Sequence, residues 1–286
     1  EPHVVLAADT VAVGHRLHHP SMRLEGAHGD VDRVIGVHHG DVGGVVGGHD
    51  VLPSRRVACA VGEPLEPRQP AYRGQIAVLV DEASIRLNGL RIDGGECAQL
   101  ERIVIVACGT SWHSAIIGRV MLEQLTGLPV QVEYGSEYRY QTQLRLPNTL
   151  VVAISQSGET ADTLEAMRAG SEAGGRVVGV VNVVGSTIAR EADGGVYLHA
   201  GPEVGVASTK AFTSQVTALA MMALHIGRAR GLPVGRAQAL IHELNRIPEL
   251  VEQALELDTQ VRAVAELYAG APNALYLGRG VNFPVA

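Results

Sequence analysis

The sequence predicts an α/β fold: a doubly wound parallel β-sheet sandwiched by helices and followed by a helical stretch. Two observations lead to this prediction. From residue 102 onward, short apolar and β-branched runs alternate with stretches of helical periodicity, as expected for parallel strands joined by right-handed helical crossovers. Beyond residue 208 the apolar residues recur at helical spacing almost to the end of the chain, which predicts several consecutive helices.

The elements can be assigned in chain order. Strands are predicted at 102–107, 129–133, 149–154, 176–182, 195–199 and 273–277, and helices at 111–126, 135–142, 160–173 and 186–192. Beyond Ser208, one helix is expected to run to about Arg230, where a Gly-Leu-Pro segment breaks it. A second helix is expected to end near Pro248, since proline disrupts a helix interior. A third follows directly, and a last one stops at Gly270.

Composition restricts the class of protein. With 286 residues the chain has room for about two domains, and no apolar run reaches the ~20 residues of a membrane span. A net charge of −7 and the lack of a basic stripe argue against nucleic acid as a partner. Three cysteines without paired spacing, and no signal-peptide pattern, predict a cytoplasmic protein with reduced thiols.

The first 83 residues do not resemble a domain. Residues 1–71 contain no Phe, Tyr or Trp, carry eight of the twelve histidines, and show neither a strand nor a helix period. The histidine spacing matches no accepted pattern of metal ligands, so we expect no metal site. We hypothesise that residues 1–83 are disordered or come from a frame-shifted reading of the gene.

The segment SQSGET at 155–160 lies between a predicted strand and a predicted helix. At such a helix N-terminus the backbone N–H groups are unpaired and the helix dipole is positive. Ser155, Ser157 and Thr160 can donate hydrogen bonds to a tetrahedral oxyanion, and Gly158 permits a tight turn. We interpret the segment as a phosphate-binding loop. The alternative is an ordinary helix N-cap, for which Ser and Thr are also favoured.

A second loop of the same kind follows the strand at 102–107 and contains Cys108, Gly109, Thr110 and Ser111. Loops after parallel strands meet at the carboxyl edge of the sheet, where open α/β sheets bind ligands. Two loops rich in hydroxyls and glycine therefore predict a ligand with a phosphate at one end and hydroxyls elsewhere, a sugar phosphate. Cys108 itself is interpreted as a small buried hydrophobic residue.

Three charged residues, Glu159, Asp162 and Lys210, lie in or near these motifs. Glu159 and Asp162 would repel a bound dianion unless they point away, and acidic residues in a first helical turn commonly complement the helix dipole. Lys210 begins the helix after Ser208. A cation there opposes the dipole, which suggests an anion nearby; a solvated surface lysine is an equally good alternative.

Together with GVASTK at 205–210, the two loops resemble in order and spacing the sugar isomerase (SIS) domain of the glutamine–fructose-6-phosphate aminotransferase family. The resemblance runs from about Ser84 to Ala286. It implies a flavodoxin-like SIS domain at 84–270 and the truncated start of a second SIS repeat at 271–286. It also implies a phosphate site at Ser155, Gln156, Ser157 and Thr160, a sugar site at Gly109, Thr110 and Ser111, and closure of the pocket by Val206 and Ser208.

In this family the isomerase part makes glucosamine 6-phosphate from fructose 6-phosphate and glutamine-derived ammonia, a step of amino-sugar biosynthesis, without a cofactor. The family's acid–base and Schiff-base residues lie in the second repeat and the C-terminal tail, and its glutaminase nucleophile is an N-terminal cysteine where this chain has Glu1. The resemblance thus implies no catalytic residue here, a chain inactive alone, a hexose phosphate ligand and a homodimer. The alternatives are a non-catalytic sugar-phosphate-sensing SIS module, or another SIS isomerase or deglycase.

Overall fold

The structure is a computed structural model that describes residues 4–7, 78–81, 84–142, 145–203, 205 and 208–286. Contacts between residues divide the chain into two compact units. One contains the described residues from 78 to 246, and the other contains residues 4–7 and 247–286. The segment predicted to be unassigned, 1–83, lies mostly outside the described residues, and the predicted domain boundaries at 83 and 270 stay predictions.

The described residues form nine strands and eight α-helices. The strands are β1 (Val4–Ala7), β2 (Val78–Asp81), β3 (Ser84–Arg86), β4 (Arg102–Ala107), β5 (Val130–Tyr134), β6 (Thr149–Ser155), β7 (Arg176–Val181), β8 (Gly194–Tyr197) and β9 (Ala274–Leu277). The helices are α1 (Gly94–Gln99), α2 (Thr110–Thr126), α3 (Gly135–Tyr138), α4 (Ala161–Glu172), α5 (Thr187–Glu191), α6 (Lys210–Ala229), α7 (Val234–Leu255) and α8 (Asp258–Tyr268).

Strands β4 to β8 form one parallel sheet in the order β5–β4–β6–β7–β8. The chain passes from β4 to β5 on one side, then crosses to β6 on the other side, so β4 and β6 flank the topological switch point. Their carboxyl ends are level, because Ala107 pairs with Ile154. The predicted doubly wound parallel sheet is therefore confirmed, and its ligand crevice is expected between β4 and β6.

Each face of this sheet carries its own hydrophobic core. On one face Ile105 and Val152 pack in a cluster with residues of α2 and α6, such as Leu122 and Leu219. On the other face Val104 belongs to a cluster with residues of α4 and α5. Successive strand residues point to opposite faces, and all seven residues of β6 are buried. The sheet is thus covered by helices on both sides, as the continuous apolar strands predicted.

Helices α2 and α6 approach each other closely on the first of these faces. A Cβ atom added to Gly118 of α2 would lie 2.5 Å from Leu219 Cδ1 of α6, and one added to Gly227 of α6 would lie 2.5 Å from the Leu125 carbonyl oxygen of α2. Real Cβ atoms do not approach other atoms so closely. A larger residue at Gly227 would therefore clash with the α2 backbone, and one at Gly118 would displace the Leu219 side chain.

Some elements differ from their prediction. Helix α7 continues through Pro248 to Leu255, so the predicted end near Pro248 is wrong. Residues on both sides of this proline are exposed, and the carbonyl that loses its N–H partner can bond to water. The helix predicted at 135–142 is the shorter α3. Helix α1 was not predicted, although Asp93 and Glu96 form a reciprocal capping box at its start that was legible in the sequence.

The smaller unit contains one two-stranded parallel sheet among its described residues. Strand β1 pairs with β9 in the register Val4–Ala274 to Ala7–Leu277. The strand predicted at 273–277 is confirmed, whereas β1 was not predicted. All four residues of β9 are exposed although its sequence is ALYL. In the described part of the chain, no helix combines the length and the apolar character needed to cross a membrane.

Candidate functional site

Two loops meet at the carboxyl edge of the sheet, on either side of the switch point. We call residues 108–111, after β4, the β4 loop and residues 155–160, at the end of β6, the β6 loop. Thr163 Oγ1, in the first turn of α4, donates a hydrogen bond to Cys108 Sγ at 3.6 Å. This contact joins the β4 loop to the helix that follows the β6 loop, so the structure brings the two predicted loops together.

The β6 loop is held by hydrogen bonds among its own residues. Ser155 is 2% exposed, and its Oγ accepts a hydrogen bond from the Gly158 backbone N–H at 2.9 Å. Ser155 Oγ and Thr160 Oγ1 lie 2.9 Å apart and share one hydrogen bond. Ser157 Oγ accepts a longer bond, 3.2 Å, from the Glu159 backbone N–H. Because the Ser155–Thr160 pair uses only one of its two hydroxyl protons, the other can be donated to a ligand.

Both helices that follow the loops begin without a side-chain cap. Thr160 is the N-cap residue of α4, yet its side chain makes no capping bond, because it is turned towards Ser155. The N-cap residue of α2 is Gly109, which has no side chain. Thr160 therefore stands at the N-cap position without capping the helix through its side chain. Apart from the Trp112 N–H, which donates to the Gly109 carbonyl at 3.0 Å, the first-turn N–H groups and the positive dipole ends of both helices remain available at this edge.

Gly158 is required by the packing behind the β6 loop. Its φ is +67°, and a Cβ atom there would overlap Ser186 Oγ and lie 2.5 Å from Ser186 Cβ. The Gly158 carbonyl accepts a hydrogen bond from Ile188 N at 3.1 Å, and the Gln156 carbonyl accepts one from Asn182 N at 3.2 Å. The connection between β7 and α5 therefore supports the β6 loop from behind, and both Gln156 and Ser157 stay half-buried.

The acidic residues near the β6 loop are engaged with other partners. Glu159 Oε1 accepts a hydrogen bond from Thr187 N at 2.8 Å, and bonds from the side chain and backbone of Thr187 lower the pKa of the Glu159 carboxyl. Glu159 thus complements the N-terminus of α5 rather than of α4. Asp162, in the first turn of α4, pairs with Arg139 at 2.6 Å. Neither carboxylate is left to oppose an anion on its own.

The β4 loop combines an open backbone position with a buried hydroxyl. Gly109 has a φ of +57°, and a Cβ atom there would meet nothing within 4 Å. Thr110 begins α2 and is half-buried. Ser111 is 6% exposed, and its Oγ accepts a hydrogen bond from Gln215 Nε2 of α6 at 2.9 Å. The β4 loop thus has open space at Gly109 and, two residues later, a hydroxyl that is held from another helix.

Sequence reasoning missed Gln215. The residue is 1% exposed and lies on the buried side of α6 with Ala211, Leu219 and Met222. The sequence does carry a signal, because Gln215 is four residues before Leu219 and seven before Met222, which is the spacing of a helix face buried in the core. A polar residue on such an apolar face predicts a specific buried hydrogen-bond partner, but not which one.

The third predicted motif is only partly described. Val206 lies outside the described residues. Ser208 Oγ donates a hydrogen bond to Glu203 Oε2 at 3.0 Å, and the Ala211 backbone N–H donates to the same oxygen at 3.0 Å. Glu203 therefore caps the N-terminus of α6. The predicted anion near Lys210 exists at that helix end, while Lys210 itself is exposed.

The described cysteines and acids form no metal site. No group of three or more His, Cys, Asp or Glu side chains that could hold a metal ion occurs in the described ranges. Burial raises the pKa of the Cys97 thiol to about 11, so this thiol stays protonated and poorly reactive at neutral pH. Cys108 is half-buried in the β4 loop.

Comparison with known proteins identifies the same region. Residues 97–225 match the SIS domain family. The chain is 45% identical over 224 residues to the isomerizing glutamine–fructose-6-phosphate aminotransferase of Chlorobaculum tepidum, and 42% identical over 224 residues to that of Symbiobacterium thermophilum. These alignments cover 78% and 77% of this chain.

A solved structure agrees with these relatives. The C-terminal domain of glucosamine-fructose-6-phosphate aminotransferase from Francisella tularensis superposes with a TM-score of 0.67 at 36% identity, and the match covers 72% of this chain and 58% of that one. The chain spans 36% of the length of the two curated relatives. Residues 97–225 therefore match the SIS domain family, and over 78% of its length the chain is similar to an isomerizing glutamine–fructose-6-phosphate aminotransferase.

Proposed function

We propose that this chain is the sugar-phosphate-binding isomerase part of an enzyme that converts fructose 6-phosphate and glutamine-derived ammonia into glucosamine 6-phosphate. One observation carries the proposal. The β4 and β6 loops, each combining hydroxyls with a glycine, flank the switch point of the sheet, and the helix behind each of them starts without a side-chain cap. This is the position at which open α/β sheets bind their ligands.

In this proposal the β6 loop holds the phosphate through Ser155, Gln156, Ser157 and Thr160. A dianion is stabilised by the free N–H groups and the positive dipole at the start of α4. The spare hydroxyl proton of the Ser155–Thr160 pair supplies a further donor. Glu159 and Asp162 are bound to Thr187 and Arg139, which reduces their repulsion of the phosphate.

The β4 loop would hold the sugar through Gly109, Thr110 and Ser111. The open space beside Gly109 allows a ligand to approach the backbone, and hydroxyl groups match the hydroxyls of a hexose. Val206 and Ser208 would close the pocket from the segment before α6. The bonds that Glu203 accepts from Ser208 and from the Ala211 N–H support this role, because together they tie the segment to the start of that helix.

These residues bind and orient, and we assign no proton-transfer or Schiff-base residue to this chain. We therefore propose binding without turnover when the chain acts alone. The same proposal includes a SIS domain at 84–270, the first residues of a second SIS repeat at 271–286, homodimer formation and a role in cytoplasmic amino-sugar synthesis.

The test is ligand-induced stabilisation of the full 286-residue chain. Fructose 6-phosphate and glucosamine 6-phosphate should each raise its Tm, whereas fructose, which has no phosphate, should not. A variant with Ser155, Ser157 and Thr160 all changed to Ala should lose the shift. Because Ser155 and Thr160 also hold the loop together, Ser157→Ala alone gives the cleaner measurement and should weaken affinity by about fivefold, one neutral hydrogen bond.

The matched control for this test is Ser171→Ala, which changes an exposed serine at the other end of α4. It should bind both hexose phosphates like the wild-type chain. A wild-type chain whose Tm responds to neither ester, or a triple variant that keeps the full shift, would contradict the proposal.

A further inference from the structure

We propose that Gln215 is a positioning residue for sugar-phosphate binding, because its buried amide sets the direction in which the Ser111 hydroxyl donates. The inference rests on the proposed function of the β4 loop. It assigns part of the binding site to α6, more than a hundred residues along the chain from Ser111.

The hydrogen bonds around Gln215 converge on Ser111. Gln215 Nε2 donates to Ser111 Oγ at 2.9 Å. Ser114 Oγ shares its proton between the Ser111 carbonyl, at 2.7 Å, and Gln215 Oε1, at 2.9 Å. Both ends of the Gln215 amide are therefore held, and Ser111 is contacted at its hydroxyl and at its carbonyl. Ser114 and Gln215 are almost completely buried.

The interface between α2 and α6 does not itself require this polar group. Its closest side-chain contact is apolar, with Leu219 against Gly118, and Ala218 and Met222 are buried on α6. A buried amide is stabilising only when it is fully hydrogen-bonded, and an apolar residue of similar shape is commonly tolerated at such positions. A hydrogen-bonded network inside an apolar core instead makes one geometry rigid, and here the rigid element is Ser111.

The direction of the bond decides what Ser111 can do. A serine hydroxyl has one proton and two acceptor lone pairs. Because Gln215 donates to Ser111 Oγ, one lone pair is occupied and the serine keeps its own proton for another acceptor. The hydroxyl is thus fixed as a donor in the first turn of α2, the helix that begins just after the carboxyl end of β4, and suits an oxygen of a hexose phosphate. Fixing a donor before binding reduces the entropy lost when the ligand binds.

The experiment is a double-mutant cycle on the full chain with fructose 6-phosphate affinity measured by calorimetry. Ser111→Ala should weaken binding by about fivefold to tenfold, the loss of one hydrogen bond. Gln215→Met keeps the shape of the side chain without its amide, and should weaken binding by a similar factor. If Gln215 acts through Ser111, the double variant should bind no more weakly than Ser111→Ala alone.

A general loss of stability would give a different pattern. Thr126→Val removes another buried hydroxyl from the far end of α2, and should lower the Tm without changing affinity. If Gln215→Met does not fold, as judged by circular dichroism, Gln215→Asn replaces it, since its shorter side chain cannot span Ser111 and Ser114.

The outcomes separate the two proposals. A wild-type chain that does not bind fructose 6-phosphate contradicts the proposed function. A wild-type chain that binds, with effects of Ser111 and Gln215 that multiply in the double variant, leaves the proposed function intact and overturns the positioning role. Unchanged affinity in the Gln215 variants overturns it as well.

Discussion

The β4 and β6 loops occupy equivalent positions on neighbouring strands but are held in different ways. The β6 loop is stabilised locally, by Ser155 bonded to Gly158 and Thr160, and by the adjacent connection after β7. The β4 loop takes its support from α6, through Gln215. The β6 loop is therefore held largely by hydrogen bonds among its own residues, whereas the β4 loop depends on a helix far away in the sequence.

The largest expected effect comes from comparing the two loop glycines. Gly158→Ala should lower the free energy of unfolding by more than about 3 kcal/mol, because the strain of a positive φ, about 1–3 kcal/mol, is added to a clash with Ser186. In Gly109→Ala the added Cβ atom would meet open space, so this variant should lose only the free energy of the backbone strain. Urea unfolding measures both values. Equal losses would mean that the β6 loop is not packed against Ser186.

The next effect compares two serines within the β6 loop. Ser155→Ala should cost about 1–3 kcal/mol of stability, because it leaves the buried Gly158 N–H without its acceptor. Ser157→Ala removes one long bond at a half-buried position and should change stability by less than about 0.5 kcal/mol. Thermal unfolding without ligand makes the comparison. A Ser157 variant as unstable as the Ser155 variant would show that the loop is not held mainly through Ser155.

The smallest effect is a pH dependence at Glu159. Its pKa is lowered in the folded chain, so the unfolded chain binds the proton more readily. The stabilisation that results is present at pH values above 4.5, the ordinary pKa of this carboxyl. It is lost as the pH falls through the lower pKa of Glu159 in the folded chain. Glu159→Gln should therefore lower stability slightly at neutral pH and flatten the decline in acid.

Urea midpoints at neutral pH and below about pH 4.5 measure this pH dependence. Glu172→Gln, an exposed substitution on α4, is the control and should keep the wild-type decline. An unchanged decline in Glu159→Gln would contradict the bond between the β6 loop and α5, and with it the support of that loop from behind.

Much of the fold was predictable because strands and loops leave local patterns. Strands β4 to β9 and the positions of the two loops follow from apolar runs ended by glycine and hydroxyl residues. The continuation of the helix through Pro248 could not be predicted, because the effect of a proline depends on whether water can reach the carbonyl that it leaves unpaired. Strand β1 was missed because its partner, β9, lies more than 260 residues away.

The sequence by itself determined the α/β class, the order of elements and the residue types in the site, since each depends on neighbours within a few positions. The tertiary structure alone decided the strand order that brings the two loops together, the turn of Glu159 towards α5 and the bond from Gln215 to Ser111. These features depend on which side chains meet across the sheet and between helices. Those contacts are set by the packing of segments that are distant in the sequence, and the periodicity of residues along the chain does not predict them.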